Sequence, residues 1–542
     1  MIERPFAITL DVGSSHANHT GSWRVERPVY VDRLPPCSNA CPAGESVQQW
    51  LYQAEPGDYQ AAWRALVEDN PFPAVMGRIC YHPCETACNR AQLDDAVGIN
   101  AVERFLGDLA IQRGWKLPPA GTETGRRVLV IGAGPAGLSC AYHLRRLGHG
   151  VRLVDSANAL GGMMRYGIPA YRLPRAILDA EIDRIVALGV DVGLGHTVED
   201  VESERVEGGF DAVFLAVGAQ LARRVDIPSG DSTQVLDALS LLRQVADDDP
   251  PLLGRRVAVY GGGDTALDAA RTARRLGATE AVVVYRRNRE RMPAHGDELA
   301  EALAEGVTVR WLSIVNRVDQ GHLVLEKVRL DDDGFPVPTG ELEELDADSL
   351  VLALGQDTDL SLLDRAGDVT VEDGVVQVHP TMMTDEDGVF AGGDSVPSPR
   401  TATVAIGHGK RAAAGIDAYL AGREVPEAAP RALATFDRLN TWYYDDAPRQ
   451  HRPELERARR QSGFDEVVGG LTEQNALFEA RRCLSCGNCF ECDNCFGVCP
   501  DNAVIKLGPP GRYEIDYDFC KGCGMCVVEC PCGAIDMVPE PI

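Results

Sequence analysis

Two stretches of the chain share one pattern of hydrophobic and polar positions: a short apolar run, a glycine turn, a segment of helical period, and a second apolar run. The first comprises a strand at Arg127–Val130, a helix, and a strand at Val151–Val154; the second has a strand at Val257–Tyr260, a helix at Thr265–Leu276 and a strand at Ala281–Tyr285. Short continuous apolar runs alternating with helices predict parallel sheets covered by helices. Two more apolar strands end in glycine, Val213–Gly218 and Leu350–Gly355, and a last one, Val389–Asp394, leads into a helix near Thr401–Leu420. Helical stretches broken by cysteines fill the region from Cys37 to Gly114, whereas residues 1–35 lack clear periodicity. Residues 424–450, rich in Pro and Ala, read as a tether, followed by a charged helix near 453–461.

The glycine turns carry chemistry. In Gly132-Ala133-Gly134-Pro135-Ala136-Gly137, between strand and helix, the glycines permit a tight turn, backbone approach to a pyrophosphate, and close helix–strand packing. The helix start offers free N–H groups to phosphates, and Asp155, ending the next strand, can accept from ribose hydroxyls. The second turn, Gly261-Gly262-Gly263-Asp264-Thr265-Ala266, has Ala266 in place of the third glycine. Its next strand ends in Arg286 and Arg287 instead of an acid, which favours NADP(H) over NAD(H). Two nucleotide sites on one chain imply transfer between two cofactors.

Cysteine spacing adds a second chemistry. Cys489-x2-Cys492-x2-Cys495-x3-Cys499-Pro and Cys520-x2-Cys523-x2-Cys526-x3-Cys530-Pro each have the spacing of a bacterial two-cluster ferredoxin. That spacing assigns Cys489, Cys492, Cys495 and Cys530 to one [4Fe–4S] cluster, and Cys520, Cys523, Cys526 and Cys499 to the other. A shifted register using Cys483, Cys486 and Cys489 would waste the Cys-Pro endings. Cys532 reads as spare and Cys140 as a small core residue. No C-x2-C pair lies between Cys140 and Cys483, so a dithiol mechanism lacks its thiols.

Composition narrows the setting. The chain has 542 residues, too many for one core, and 45% are hydrophobic. No apolar run is long enough to span a membrane, and the first residues lack the apolar core of a secretory signal. Cysteines grouped as metal ligands suggest a reducing, cytoplasmic setting. A net charge of −28 disfavours nucleic acid and suits a partner with a basic face.

The segments 161–174, 261–278, 285–294 and 391–397 resemble the small subunit of bacterial glutamate synthase. They are equally similar to the NADPH-binding half of dihydropyrimidine dehydrogenase and to the larger subunit of NADH-dependent ferredoxin:NADP oxidoreductases. The resemblance spans roughly residues 37–420 and implies an α/β protein of the glutathione-reductase arrangement. Expected are an N-terminal helical iron–sulfur domain (1–120), an FAD-binding domain (126–254 and 366–422), an NAD(P)H-binding domain (255–365), a linker (423–480) and an α+β ferredoxin-like domain (481–542). FAD is expected to meet Gly132, Gly134, Pro135, Ala136, Gly137, Asp155, Gly162, Arg165, Gly218, Gly393, Asp394 and Thr401. The nicotinamide nucleotide is expected to meet Gly261, Gly263, Asp264, Thr265, Ala266, Arg286 and Arg287. Relatives in this group have further cysteines just before Cys37 and hold two cubes there. Their absence here implies one N-terminal cluster on Cys41, Cys80 and Cys84, its fourth ligand open among Cys37, Cys88 and Glu103. Hydride transfer to a flavin needs alignment more than proton transfer, so no catalytic acid or base is assigned. The expected activity is electron exchange between NAD(P)H and ferredoxin or a partner redox enzyme, such as a 2-oxoacid:ferredoxin oxidoreductase, in a hetero-oligomer. The alternatives are a glutamate synthase small subunit and a non-catalytic relay or assembly subunit.

Overall fold

A computed structural model describes residues 18–541, except 224, 226, 229–233, 320, 366, 427, 428, 509 and 510. The first βαβ repeat forms a five-stranded parallel sheet in the order Val389–Ala391, Ala212–Leu215, Arg127–Ile131, Gly150–Asp155, Asp191–Leu194. The central strands are buried on both faces, as their uninterrupted apolar runs require. The second repeat forms another five-stranded parallel sheet, ordered Thr308–Trp311, Glu280–Tyr285, Arg256–Gly261, Ser349–Ala353, Gln234–Asp237. Its edge strand Gln234–Asp237 precedes residue 255, so this sheet begins earlier in the chain than expected. A three-stranded antiparallel sheet over residues 313–346 is inserted between its strands Thr308–Trp311 and Ser349–Ala353.

The helices Pro135–Arg146 and Asp264–Arg275 follow the two glycine turns. Helix Ala402–Leu420 lies on the first of these, pressed so close that a Cβ at Gly409 would stand 2.3 Å from the Ala136 carbonyl oxygen. The N-terminal domain is helical, with Val47–Ala54, Tyr59–Val67, Pro73–Ile79 and Ile99–Arg113 packed around buried Trp50, Trp63, Leu66 and Phe72.

The two ends of the chain meet. Strand Glu26–Tyr30, unforeseen in the stretch without periodicity, pairs antiparallel with Ile535–Pro539 of the ferredoxin-like module. Residues 423–480, expected as a linker, are laid against the N-terminal domain. Helix Glu473–Arg481 packs on Ile99–Arg113 and Val47–Ala54. The next residue, Arg482, is buried. Its guanidinium donates to Glu479 Oε2 (3.0 Å), Asp94 Oδ1 (3.1 Å) and the carbonyls of Asp95, Ala96 and Ala447. These five bonds use every donor of the group. The charged helix expected near 453–461 shortens to Arg457–Arg460. Among the described residues no helix is long and apolar enough to cross a membrane.

Candidate functional site

Both glycine turns open into clefts. The first, about 580 Å³, is bordered by Gly134, Pro135, Ala136, Asp155, Gly162, Gly218, Gly393, Asp394 and Thr401, nine of the residues expected to meet FAD. Gly132 takes a φ of +106°, and a Cβ at Gly137 would stand 1.9 Å from the Gly132 carbonyl oxygen. The turn therefore closes only with glycine at both positions. Gly134, at the helix start, has open space where a Cβ would be, and no side chain caps the helix. Unsatisfied N–H groups thus face the cleft, the feature a pyrophosphate requires.

Asp155 is buried; its carboxylate accepts from the N–H of Ala133 (2.6 Å) and of Ala157 (2.7 Å) and so fastens the turn to the next strand. Asp394 borders the cleft, and burial raises its carboxyl above the ordinary range, with Arg400 opposing. Arg165, expected at this site, turns to the Leu160 carbonyl and to Asp179 and does not line the cleft. Beneath Asp394, the Gly393 N–H donates to Nδ1 of buried His408, and desolvation holds that imidazole down to about 4.

The second cleft, about 910 Å³, is lined by Gly261, Gly263, Thr265, Tyr260, Tyr285, Arg286 and Arg287. Helix Asp264–Arg275 also starts without a side-chain cap, and Gly263 has open space at its Cβ position. Ala266 is fully buried where the third glycine would pack. Exposed Arg286 stands at the lip, while Arg287 donates to the Gly334 carbonyl (3.2 Å). The two clefts share Leu239, Gly263, Thr265, Pro293, Gly355 and Gln356, so they communicate.

Asp264 lies at this junction and not among phosphate donors. It accepts from Tyr81 Oη (2.9 Å) and from the backbone N–H of His295 (2.9 Å), and lies 2.9 Å from Nδ1 of His295. The Tyr81 and His295 rings stack at 3.3 Å. Tyr81 was missed in the sequence, where nothing local marks it. Its importance is positional, since it follows Cys80 directly and lines the first cleft together with Ile79.

The N-terminal thiols form two groups. Cys41, Cys80 and Cys84 gather around the carboxylate of Glu103, and each bears electrostatically on others of the set. Burial and neighbouring Glu45 push Glu103 well above the usual carboxylate range; its Oε1 accepts from Asn70 Nδ2 (3.0 Å). Burial raises the Cys80 thiol to about 12, with Thr403, two residues into the helix that begins at the first cleft, opposing the rise; the Thr403 hydroxyl donates to Met76 Sδ (3.6 Å). Cys37 and Cys88 stand apart from these and face Cys483 and Cys486.

In the C-terminal module, Cys489, Cys492, Cys495 and Cys530 surround one another, as do Cys499, Cys520, Cys523 and Cys526. Cys483 and Cys486 border a small cavity with Cys37 and Cys88, and Cys489 is not part of its wall. Cys532 is buried beside Cys530, their sulfurs 3.8 Å apart, and this contact lowers the Cys530 thiol to about 6. Tyr30, from the N-terminal strand, places its hydroxyl 3.2 Å from Cys495 Sγ. Cys140 is fully buried in the first helix. Among the described residues no three such side chains converge closely enough to share a single ion.

Paired nucleotide clefts joined to cages of thiols define a flavin- and nicotinamide-dependent iron–sulfur oxidoreductase. The chain belongs to the pyridine nucleotide-disulphide oxidoreductase family, whose model matches residues 126–409. The dihydropyrimidine dehydrogenase domain II 4Fe-4S cluster model matches residues 27–115, and a 4Fe-4S binding domain model matches residues 513–536. It is 36% identical over 505 residues to NADP(+)-dependent formate dehydrogenase subunit beta of Moorella thermoacetica, covering 83% of this chain and 70% of that one. It is 32% identical over 520 residues to NADPH-Fe(3+) oxidoreductase subunit beta of Geobacter sulfurreducens, covering 85% and 77%. It is 33% identical over 432 residues to the glutamate synthase [NADPH] small chain of Azospirillum brasilense, covering 73% and 88%. The protein is thus an oxidoreductase that uses FAD, a nicotinamide nucleotide and [4Fe–4S] clusters to transfer electrons.

Proposed function

We propose that the chain is the electron-input subunit of a hetero-oligomeric redox enzyme, drawing on NADPH and delivering single electrons to a ferredoxin or to a partner subunit. When bound, FAD accepts a hydride from the nicotinamide and supplies electrons singly to the clusters. The observation that carries this reading is the shared wall of the two clefts together with Ile79 and Tyr81, which bring Cys80 to the edge of the flavin cleft. Gly134 and the uncapped helix start receive the FAD pyrophosphate, and Asp394 faces the ribityl chain. Gly261, Gly263 and Thr265 receive the second dinucleotide, with Arg286 and Arg287 on its 2′-phosphate. Three relatives named for NADP(+) or NADPH support that preference.

Cys41, Cys80 and Cys84 are proposed as ligands of the N-terminal cluster. The two ferredoxin-type sets hold one cluster each. Cys492 and Cys523 are exposed, with Phe496, Met525 and Val528 also exposed on this module, which suits it as the exit face. A glutamate synthase small-chain role is the second reading, favoured by the third relative. The appended ferredoxin-like module is a device that this partnership does not require. Anaerobic mixing of the reconstituted chain with NADPH or NADH, read by reduction of a viologen dye, tests the proposal; inertness toward both nucleotides would remove it.

A further inference from the structure

Cys483 and Cys486 belong to neither ferredoxin-type run, yet their loop is built like those runs. In Cys483-Leu484-Ser485-Cys486-Gly487 the third and fifth residues are left-handed, Ser485 at φ 49° and Gly487 at 74°. Cys489–Asp493 repeats this with Glu491 at 61° and Asp493 at 66°, and Cys520–Gly524 with Gly522 at 69° and Gly524 at 75°. A serine held at positive φ is strained, and such strain persists where the surroundings impose it. The twist turns backbone N–H groups onto sulfur: Ser485 N–H donates to Cys483 Sγ (3.4 Å), as Gly522 N–H does to Cys520 Sγ (3.5 Å).

The loop faces a small cavity of about 20 Å³ whose wall includes Cys37, Cys88, Cys483 and Cys486, closed by Leu51 and Ile99. A cavity of the same size, about 20 Å³, lies in the ferredoxin-like module against Cys499, Cys520, Cys523 and Cys526. The module thus supplies an internal measure of the space beside four cube-binding thiols. Asn89 Nδ2 adds a contact to Cys486 Sγ (3.5 Å), of the kind that tunes a ligating sulfur. Buried Arg482 anchors the loop to the N-terminal domain at Asp94, Asp95 and Ala96.

We propose that Cys37, Cys88, Cys483 and Cys486 hold a fourth [4Fe–4S] cluster, its ligands drawn in pairs from opposite ends of the chain. The site replaces a contiguous N-terminal motif with a C-x2-C pair lent by the far end, and it staples the ferredoxin-like module to the N-terminal domain. It also leaves Glu103 as the remaining candidate to complete the set of Cys41, Cys80 and Cys84. Binding displaces the thiol protons, and the cluster is assembled from supplied iron and sulfide.

The full chain, anaerobically reconstituted, should carry about 16 irons and as many sulfides per FAD, four per cube; about 12 would overturn the proposal. A Cys483→Ser/Cys486→Ser chain should lose about a quarter of the iron and sulfide while keeping its flavin and the paramagnetic signal of the ferredoxin-type clusters. Unchanged iron in that chain would also overturn it. Should the double variant fail to fold, Cys486→Ser alone decides. Deprived of one ligand, its cube should shed one iron and yield an oxidised three-iron EPR signal, absent in the parent and in Cys140→Ala. No such signal counts against the site. None of these readouts uses nicotinamide. A chain with four cubes that neither NADPH nor NADH can reduce would refute the proposed function and leave this site standing, and a reducible chain with three would do the reverse.

Discussion

The two cysteine-rich regions are built by opposite rules. In the C-terminal module eight thiols come from 42 consecutive residues (489–530), and their x2-x2-x3 spacing is itself the geometry. In the N-terminal region the thiols arrive from Pro36–Ala40 and its C-cap, from Pro83–Thr86 and its flanks and, from near the other end of the chain, from the residues after Glu473–Arg481. The first arrangement is local and survives any docking of the module. The second exists only once the chain ends have met, so it couples cluster binding to tertiary structure. Where the local motif is missing, a distant segment brings Cys483 and Cys486 to the cavity bordered by Cys37 and Cys88.

The largest effect should come from breaking the scaffold that both regions serve. Gly137→Val would drive a side chain into the Gly132 carbonyl, 1.9 Å from the Cβ position, at a cost on the order of 3 kcal/mol or more. Purified protein should lack FAD yet keep the brown absorbance of the ferredoxin-type clusters. Next, Arg482→Ala leaves buried Glu479 without its cationic partner, while Asp94 keeps Arg90, and should cost about 3–5 kcal/mol. Thermal melts followed by cluster absorbance should show the N-terminal iron lost first and the C-terminal clusters retained, which separates the two building rules directly.

A milder change sharpens the nucleotide side. Arg286→Ala/Arg287→Ala should weaken NADPH by about 1.5–3 kcal/mol, roughly ten- to hundred-fold in KM, with NADH little affected. Steady-state dye reduction with both nucleotides measures it. The smallest effect concerns His408. Its folded-state value of about 4 lies below the ~6.5 of an exposed imidazole. Between those values the unfolded chain binds the extra proton, so stability rises with pH and is lost as pH falls from 6.5 toward 4. His408→Asn should flatten that slope by about 1–2 kcal/mol in denaturant melts at successive pH values, the burial being incomplete.

Much of this was legible in the sequence because it is encoded at short range. The apolar runs at 127–131 and 256–261, the glycines at 132, 134 and 137 and the ferredoxin spacings each act within a few residues, and each structure formed where the pattern lies. What escaped depends on distant partners. Glu26–Tyr30 has no periodicity of its own because it is completed by Ile535–Pro539. Residues 423–480 lack an apolar stripe because they bind largely through polar contacts such as Arg449 to Glu85 (2.6 Å) and Arg452 to the Gly77 carbonyl (3.1 Å). Gln234–Asp237 carries too short a pattern to show which of two sheets it joins. Arg165 has the charge expected of a cofactor ligand, but nearby Asp179 takes it.

On the proposed function, reducing equivalents from a nicotinamide nucleotide held over Gly261–Gly263 reach the thiol-bound metal at Cys489–Cys530. EPR of the anaerobic, fully loaded chain before and after NADPH addition tests it most directly. The account predicts signals of reduced [4Fe–4S] clusters in the C-terminal module after NADPH, abolished by Gly137→Val although dithionite still evokes them. Clusters that dithionite reduces, but that stay oxidised under excess NADPH and excess NADH alike, would contradict it.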